Sequence, residues 1–115
     1  MLRGEIRLID LEPVRGNEAN KRRPAVVVSN DRANAAAVRL GRGVITVVPV
    51  TSNVTRVHPF QMLLPADRTG LPRDSKAQAE QIRSVSIARI GPALGHVPAD
   101  LVTRLNDAIR VHLDL

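Results

Sequence analysis

Two unbroken β-branched runs do most to limit what this chain can fold into. Pro24 to Ser29 reads PAVVVS, and Val44 to Val50 reads VITVVPV. A continuous apolar run of this length, bounded by turn residues and rich in valine, marks a buried strand rather than a surface one. The chain has 115 residues, which is room for one compact domain over residues 1–115 and one core. Both runs must share that core.

The remaining elements are arranged around them. Gly4 to Leu11 sets Ile6, Leu8 and Ile9 among charges and reads as a strand. Glu12 to Arg22 is polar, contains Pro13 and Gly16, and reads as a loop. Asn30-Asp31 offers an N-cap for a short helix over Arg32 to Val38, and Gly41 to Gly43 a turn. Thr51-Ser52-Asn53 is a polar exit from the second run. Phe60 to Leu64 is a strand ended by Pro65, and Asp67 to Asp74 is a loop. Ser75 to Ser86 reads as two short strands or one bent one, although Ala77 to Gln81 has helical propensity. Pro98 to Leu113 carries the strongest helical pattern. Leu101, Val102, Leu105, Ala108, Ile109 and His112 fall on one face, and Pro98 suits the first turn. The expected fold is α+β and mainly β: a small, strongly bent barrel with a short helix and a C-terminal amphipathic helix.

Charge narrows the function. The net charge is +6, with ten basic against five acidic residues in positions 1–60. Fifteen of the seventeen basic residues are arginine, whose planar fork binds phosphate. A polyanionic partner fits this asymmetry. Phe60 is the only aromatic, so RNA-binding folds that stack bases on several rings are excluded. The absence of cysteine excludes disulfides, thiolate metal sites and cysteine nucleophiles. No Asp/Glu/His cluster has metal-ligand spacing, and no metal or other cofactor is expected. No apolar run approaches a membrane span and no signal peptide is seen, so a cytoplasmic protein is expected.

Several segments, in order along nearly the whole chain, resemble the MazF/PemK (Kid) family. They are Arg3-Gly4-Glu5-Ile6 with Asp10-Leu11-Glu12-Pro13; Gly16-Asn17-Glu18 followed by Arg23-Pro24-Ala25-Val26-Val27-Val28-Ser29-Asn30; Val48-Pro49-Val50-Thr51-Ser52-Asn53; Leu63-Leu64-Pro65; Gly70-Leu71-Pro72-Arg73-Asp74-Ser75; and Glu80-Gln81-Ile82-Arg83-Ser84-Val85. The resemblance implies an SH3-like barrel of the CcdB/PemK type and a homodimer. It also implies sequence-specific RNA cleavage and inhibition by a small acidic, MazE-like antitoxin. The chain departs from common members at Arg7, Asn17, Gln78 and Glu80; Gln78 stands where one branch has arginine.

Metal-free cleavage of single-stranded RNA needs the 2′-hydroxyl to attack its own phosphate. A base must take the hydroxyl proton, an acid must protonate the leaving 5′-oxygen, and donors must stabilise the phosphorane. Arg23, at the entry to the first buried run, reads as a surface arginine from pattern alone. The resemblance makes it the phosphate fork, able to grip two oxygens, and the acid. Thr51 follows the second run; with Ser52 it reads either as a hydroxyl donor to the phosphate or as a turn that satisfies its own backbone, and the resemblance puts Thr51 in the catalytic set. Glu18 is the base candidate, or else a solvated loop charge or an ion pair. Asn17, Lys21, Arg22, Ser52, Asn53, Glu80 and Gln81 are the candidate RNA-binding residues. His58 is expected in a turn, His96 in a loop before the last helix, and His112 on that helix's inner edge; none matches the family motif. The competing readings are a CcdB-like toxin of the same fold that binds a topoisomerase without nuclease activity, and a non-catalytic basic nucleic-acid module.

Overall fold

The computed structural model describes residues 1–11 and 22–115. The two valine-rich runs lie side by side in it as β2 (Arg22–Val27) and β3 (Val44–Thr51), antiparallel, with Ala25 against Pro49 and Val27 against Val47. β1 (Glu5–Asp10) flanks β2, and β7 (Ile90–His96) flanks β1. The other flank of β3 is shared. β6 (Arg83–Ser86) pairs with its first half, and β5 (Ser75–Gln78) with Val50 and Thr51. β4 (Gln61–Leu64) then pairs with β5. All seven strands are antiparallel to their neighbours, in the order β4-β5-β3-β2-β1-β7 with β6 beside β3. The expected α+β class holds. The expected closure into a barrel is not seen among the described residues, where the order ends on β4 and β7.

Alternation along the central pair sends side chains into two cores. Val26, Val48 and Val50 join Ile6, Leu64, Leu101 and Leu105 on one face; Ala25, Val27, Ile45 and Val47 join Ile9, Ala37 and Val85 on the other. A strand buried on both faces has no wet side, which is why both runs are apolar without alternation. The first core is covered by α3 (Ala99–Leu113), which buries Leu101, Leu105 and Ala108. The second is covered by α1 (Asp31–Leu40), whose N-cap is Asn30: its side chain accepts from the Ala33 amide at 2.8 Å. Neither helix is long and apolar enough to cross a membrane, nor is any other among the described residues.

Four expectations are corrected. Arg22 is the first residue of β2, not the end of a loop. The 67–74 segment opens with a single-turn helix, α2 (Ala66–Thr69), held by the Thr69 hydroxyl donating to the Pro65 carbonyl. His96 is the last residue of β7, across from Glu5, and His112 is exposed on α3. The 77–81 segment resolves both readings, since β5 ends at Gln78 and Ala79–Gln81 forms a 3-10 turn before β6.

β7 is the element its residues disguise, because IGPALGH looks like a loop. Its glycines are there for space. A Cβ on Gly95 would stand 1.9 Å from the Thr69 carbonyl oxygen, and one on Gly91 would stand 2.6 Å from that of Leu8. Glycine within a strand often marks such a close backbone approach. Gly95→Ala therefore has to push β7 off α2. We expect a loss of about 2 kcal/mol or more in urea unfolding, against a surface control such as Ala93→Ser.

Candidate nucleic-acid interface

Because β2 and β3 run antiparallel, the start of one lies beside the end of the other. Continuing their register two residues beyond Ala25–Pro49 brings Arg23 beside Thr51. Here the valine core gives way to polar residues, and a groove of about 300 Å³ opens, lined by Arg23, Pro24, Val50, Thr51, Ser52, Leu71, Pro72, Arg73 and Ser75. Its walls carry two guanidinium groups and three hydroxyls on a largely apolar floor, and no carboxylate lines it among the described residues. The neighbouring Asp74 carboxylate is turned to the backbone of α2, where it accepts from the Ala66 amide at 2.8 Å. Charge next to low-dielectric walls attracts an anion more strongly than the same charge in open water.

Arg23 is half-buried and held in place. Its Nη2 donates to the Gln78 Oε1 at 3.0 Å and to the Val50 carbonyl at 3.3 Å. The two-oxygen fork is therefore engaged at Nη2; Nε and Nη1 make no hydrogen bond among the described residues. Thr51 ends β3 across from Lys76, and its Oγ1 accepts from the Asn53 amide at 3.3 Å. The Asn53 side chain in turn accepts from the Thr55 amide at 3.2 Å, so the polar exit is a self-bonded turn as well as a groove wall. Lys76, only 8% exposed, donates from Nζ to the Arg56 carbonyl at 2.6 Å and tethers the segment that leaves this turn.

Arg23, Thr51 and Ser52 of the expected site come together. Arg22 does not join them. Strand alternation turns it into a separate groove of about 200 Å³ with Leu8, Asp10 and Arg89. Asn53 and Gln81 are exposed and do not line the Arg23 groove. Glu80 is half-buried and accepts from Gln61 Nε2 at 2.7 Å, while its Oε1 has no partner among the described residues. Glu18, Asn17 and Lys21 lie outside the described residues. Sequence reasoning overlooked Arg73, Ser75, Lys76 and Gln78. Arg73 and Ser75 stood in the quoted Gly70–Ser75 motif and Gln78 was noted only as a departure, whereas Lys76 gave no signal at all. Among the described residues no three His, Asp or Glu side chains stand together in a way that could hold a metal.

Comparison with known proteins gives this arrangement a family. Residues 2–113 match the model for the PemK-like, MazF-like toxin of type II toxin-antitoxin systems. The chain is 63% identical over 115 residues to Endoribonuclease MazF9 of Mycobacterium tuberculosis, covering 100% of this chain and 98% of that protein. Among solved structures, MazF from Deinococcus radiodurans superposes with a TM-score of 0.77 at 26% identity, over 100% of this chain and 97% of the other. The MazE–MazF complex from the same organism gives 0.76 at 25%, over 100% and 96%. The chain belongs to the PemK-like, MazF-like toxin family.

The Glu80 carboxylate yields a test of how this corner is built. Gln61 is the bridge, since its Oε1 also accepts from the His58 amide at 3.1 Å. Gln61→Leu strands Glu80 without a donor and should cost about 2 kcal/mol. Removing both polar groups in Gln61→Leu/Glu80→Leu should recover at least half of that in chemical denaturation.

Proposed function

We propose that this MazF-type endoribonuclease toxin cuts single-stranded RNA at particular sequences, by attack of the 2′-hydroxyl on the adjacent phosphate and without a metal ion. The supporting observation is the convergence of Arg23, Thr51 and Ser52, joined by Arg73, on one groove that no carboxylate of the described residues lines. In the reaction the 2′-oxygen bonds to phosphorus and the bond to the 5′-oxygen breaks. The products are a 2′,3′-cyclic phosphate and a 5′-hydroxyl. The charge that builds on the non-bridging oxygens is met by Arg23 and by the hydroxyls of Thr51 and Ser52. Arg23 is also the proposed donor to the leaving 5′-oxygen, giving up its proton only as that bond breaks and regaining it from water. Glu18 is the proposed proton acceptor, with Asn17, Lys21, Arg22, Asn53, Glu80 and Gln81 along the path of the RNA.

The active form is a homodimer, and its inhibitor is an acidic antitoxin segment. Exposed Val38, Leu40 and Val44 near the start of β3, and Val111, Leu113 and Leu115 at the chain's end, leave apolar surface for such contacts. The solved relative whose structure is a MazE–MazF complex supports the antitoxin partner. RNA and an acidic segment compete for the same arginines.

Incubation of a long RNA with the protein in EDTA should give cuts with 5′-hydroxyl ends, and none at a 2′-deoxy position. Activity lost in EDTA and restored by Mg²⁺, or cleavage at the deoxy position, contradicts the chemistry. Arg23→Ala should lower the rate by about 10²–10³-fold with folding retained, and Thr51→Ala by less. A folded Arg23→Ala protein with near-normal turnover would mean that another group meets the phosphate.

A further inference from the structure

The hydrogen bonds of Arg23 leave one question that its position alone does not answer: what fixes the guanidinium plane. Both acceptors of Nη2 are neutral, a main-chain carbonyl and the Gln78 amide oxygen. Gln78 is the last residue of β5, paired across the ladder with Gln61, and the preceding Ala77 is fully buried between Val50 and Met62. The backbone under Gln78 is thus fixed by the core. An arginine side chain that had to be ordered at the moment of phosphate binding would lose rotamer freedom worth up to about 2 kcal/mol. Here the ordering is done in advance.

Resting on the endoribonuclease reading above, we propose that Gln78 is the positioning residue of the site: it clasps Arg23 Nη2 and so fixes the guanidinium plane, with Nε or Nη1 turned to the scissile phosphate. The neutrality of the clasp is essential. A carboxylate at this place would make a stronger hydrogen bond, but it would cancel the charge that the phosphate needs. An amide orients the guanidinium and leaves its full positive charge available. Both side-by-side edges of the guanidinium share Nη2, so with Nη2 engaged Arg23 meets the phosphate through a single N–H, of Nε or of Nη1.

The test compares Gln78→Ala and Gln78→Glu with the wild type. Gln78→Ala leaves the guanidinium held only by the longer bond to the Val50 carbonyl and should lower kcat about tenfold while KM changes little. Gln78→Glu keeps the shape and adds an ion pair; it should lose more than the alanine variant. Its affinity for a non-cleavable 2′-O-methyl RNA should also fall, with the slope of log affinity against log salt shallower by about 0.7, the value of one single-strand phosphate contact. A purely structural role predicts the reverse order, since glutamate would hold Arg23 at least as well. Equal activity in Gln78→Glu and wild type, or a faster Gln78→Ala enzyme, overturns the proposal. One arm needs no RNA: the Arg23 side-chain N–H signals in NMR should be slow to exchange in the wild type and fast in Gln78→Ala. Unchanged exchange removes the clasp whether or not the protein cuts RNA, whereas an intact clasp in a protein that leaves RNA uncut would count against the endoribonuclease reading alone.

Discussion

Everything in this molecule depends on the β2–β3 pair being buried on both faces. Val26, Val48 and Val50 supply one core, and Ala25, Val27, Ile45 and Val47 the other. Each fully buried valine or isoleucine contributes about 1.5–3 kcal/mol relative to exposure, so this short pair holds a large share of the stabilisation available to a small domain. Register here is correspondingly strict, because a slip by one residue would exchange the two cores. The site inherits that strictness. Arg23 lies two residues before Ala25, and Thr51 two after Pro49, so the positions of a cation and a hydroxyl are set by valine packing a few ångströms away.

The way the pair ends explains how polar groups can sit so close to a dry interior. β3 is longer than its partners and changes neighbour along its length, from β6 at Val44–Val47 to β5 at Val50–Thr51. Where β5 arrives it brings Gln78 to Arg23, and Lys76 to the carbonyl of Arg56. Each cation finds a neutral acceptor, so desolvation is offset without neutralisation. Among the described residues the acidic groups close to the groove in sequence are used elsewhere, Asp74 on an α2 amide and Glu80 on Gln61.

How much of this could be read from the residues differs by element, for physical reasons. The two valine runs and the last helix were legible because each is long, strongly patterned and closed by recognisable ends; Asn30 as N-cap and Pro98 before α3 are local chemistry. β7 was hidden because its glycines answer to distant backbone, the carbonyls of Thr69 and Leu8, which no local pattern reveals. Arg22 and Arg23 look alike as letters. Only strand alternation, with the register known, sends one to the groove and the other to a separate pocket. Arg73 enters the site from the turn after α2, and a turn's direction is set by tertiary contacts. The Gln78 clasp needed β5 to be placed on β3 before an ordinary amide could be seen beside an arginine.

The described groove is built to stabilise negative charge, and that leaves one chemical task unfilled. Arginine keeps its proton at any physiological pH, and threonine and serine hydroxyls are not bases there either. A 2′-hydroxyl facing Arg23, Arg73, Thr51 and Ser52 would find donors on all sides and nothing to accept its proton. The acceptor must therefore come from outside this set of side chains. Glu80 is bound to Gln61 and does not line the groove. The remaining carboxylate of the expected site is Glu18, which belongs to the segment between β1 and β2, the same connection that delivers the chain to Arg23. A carboxylate brought beside two guanidinium groups stays ionised and is a weak base in the ground state. Yet the same cations that weaken it lower the cost of forming the 2′-alkoxide, so the proton needs to move only as the bond to phosphorus forms. In the proposed reaction the frame that the valine core makes rigid would carry the charge stabilisation, and a carboxylate from the connection entering β2 would accept the proton.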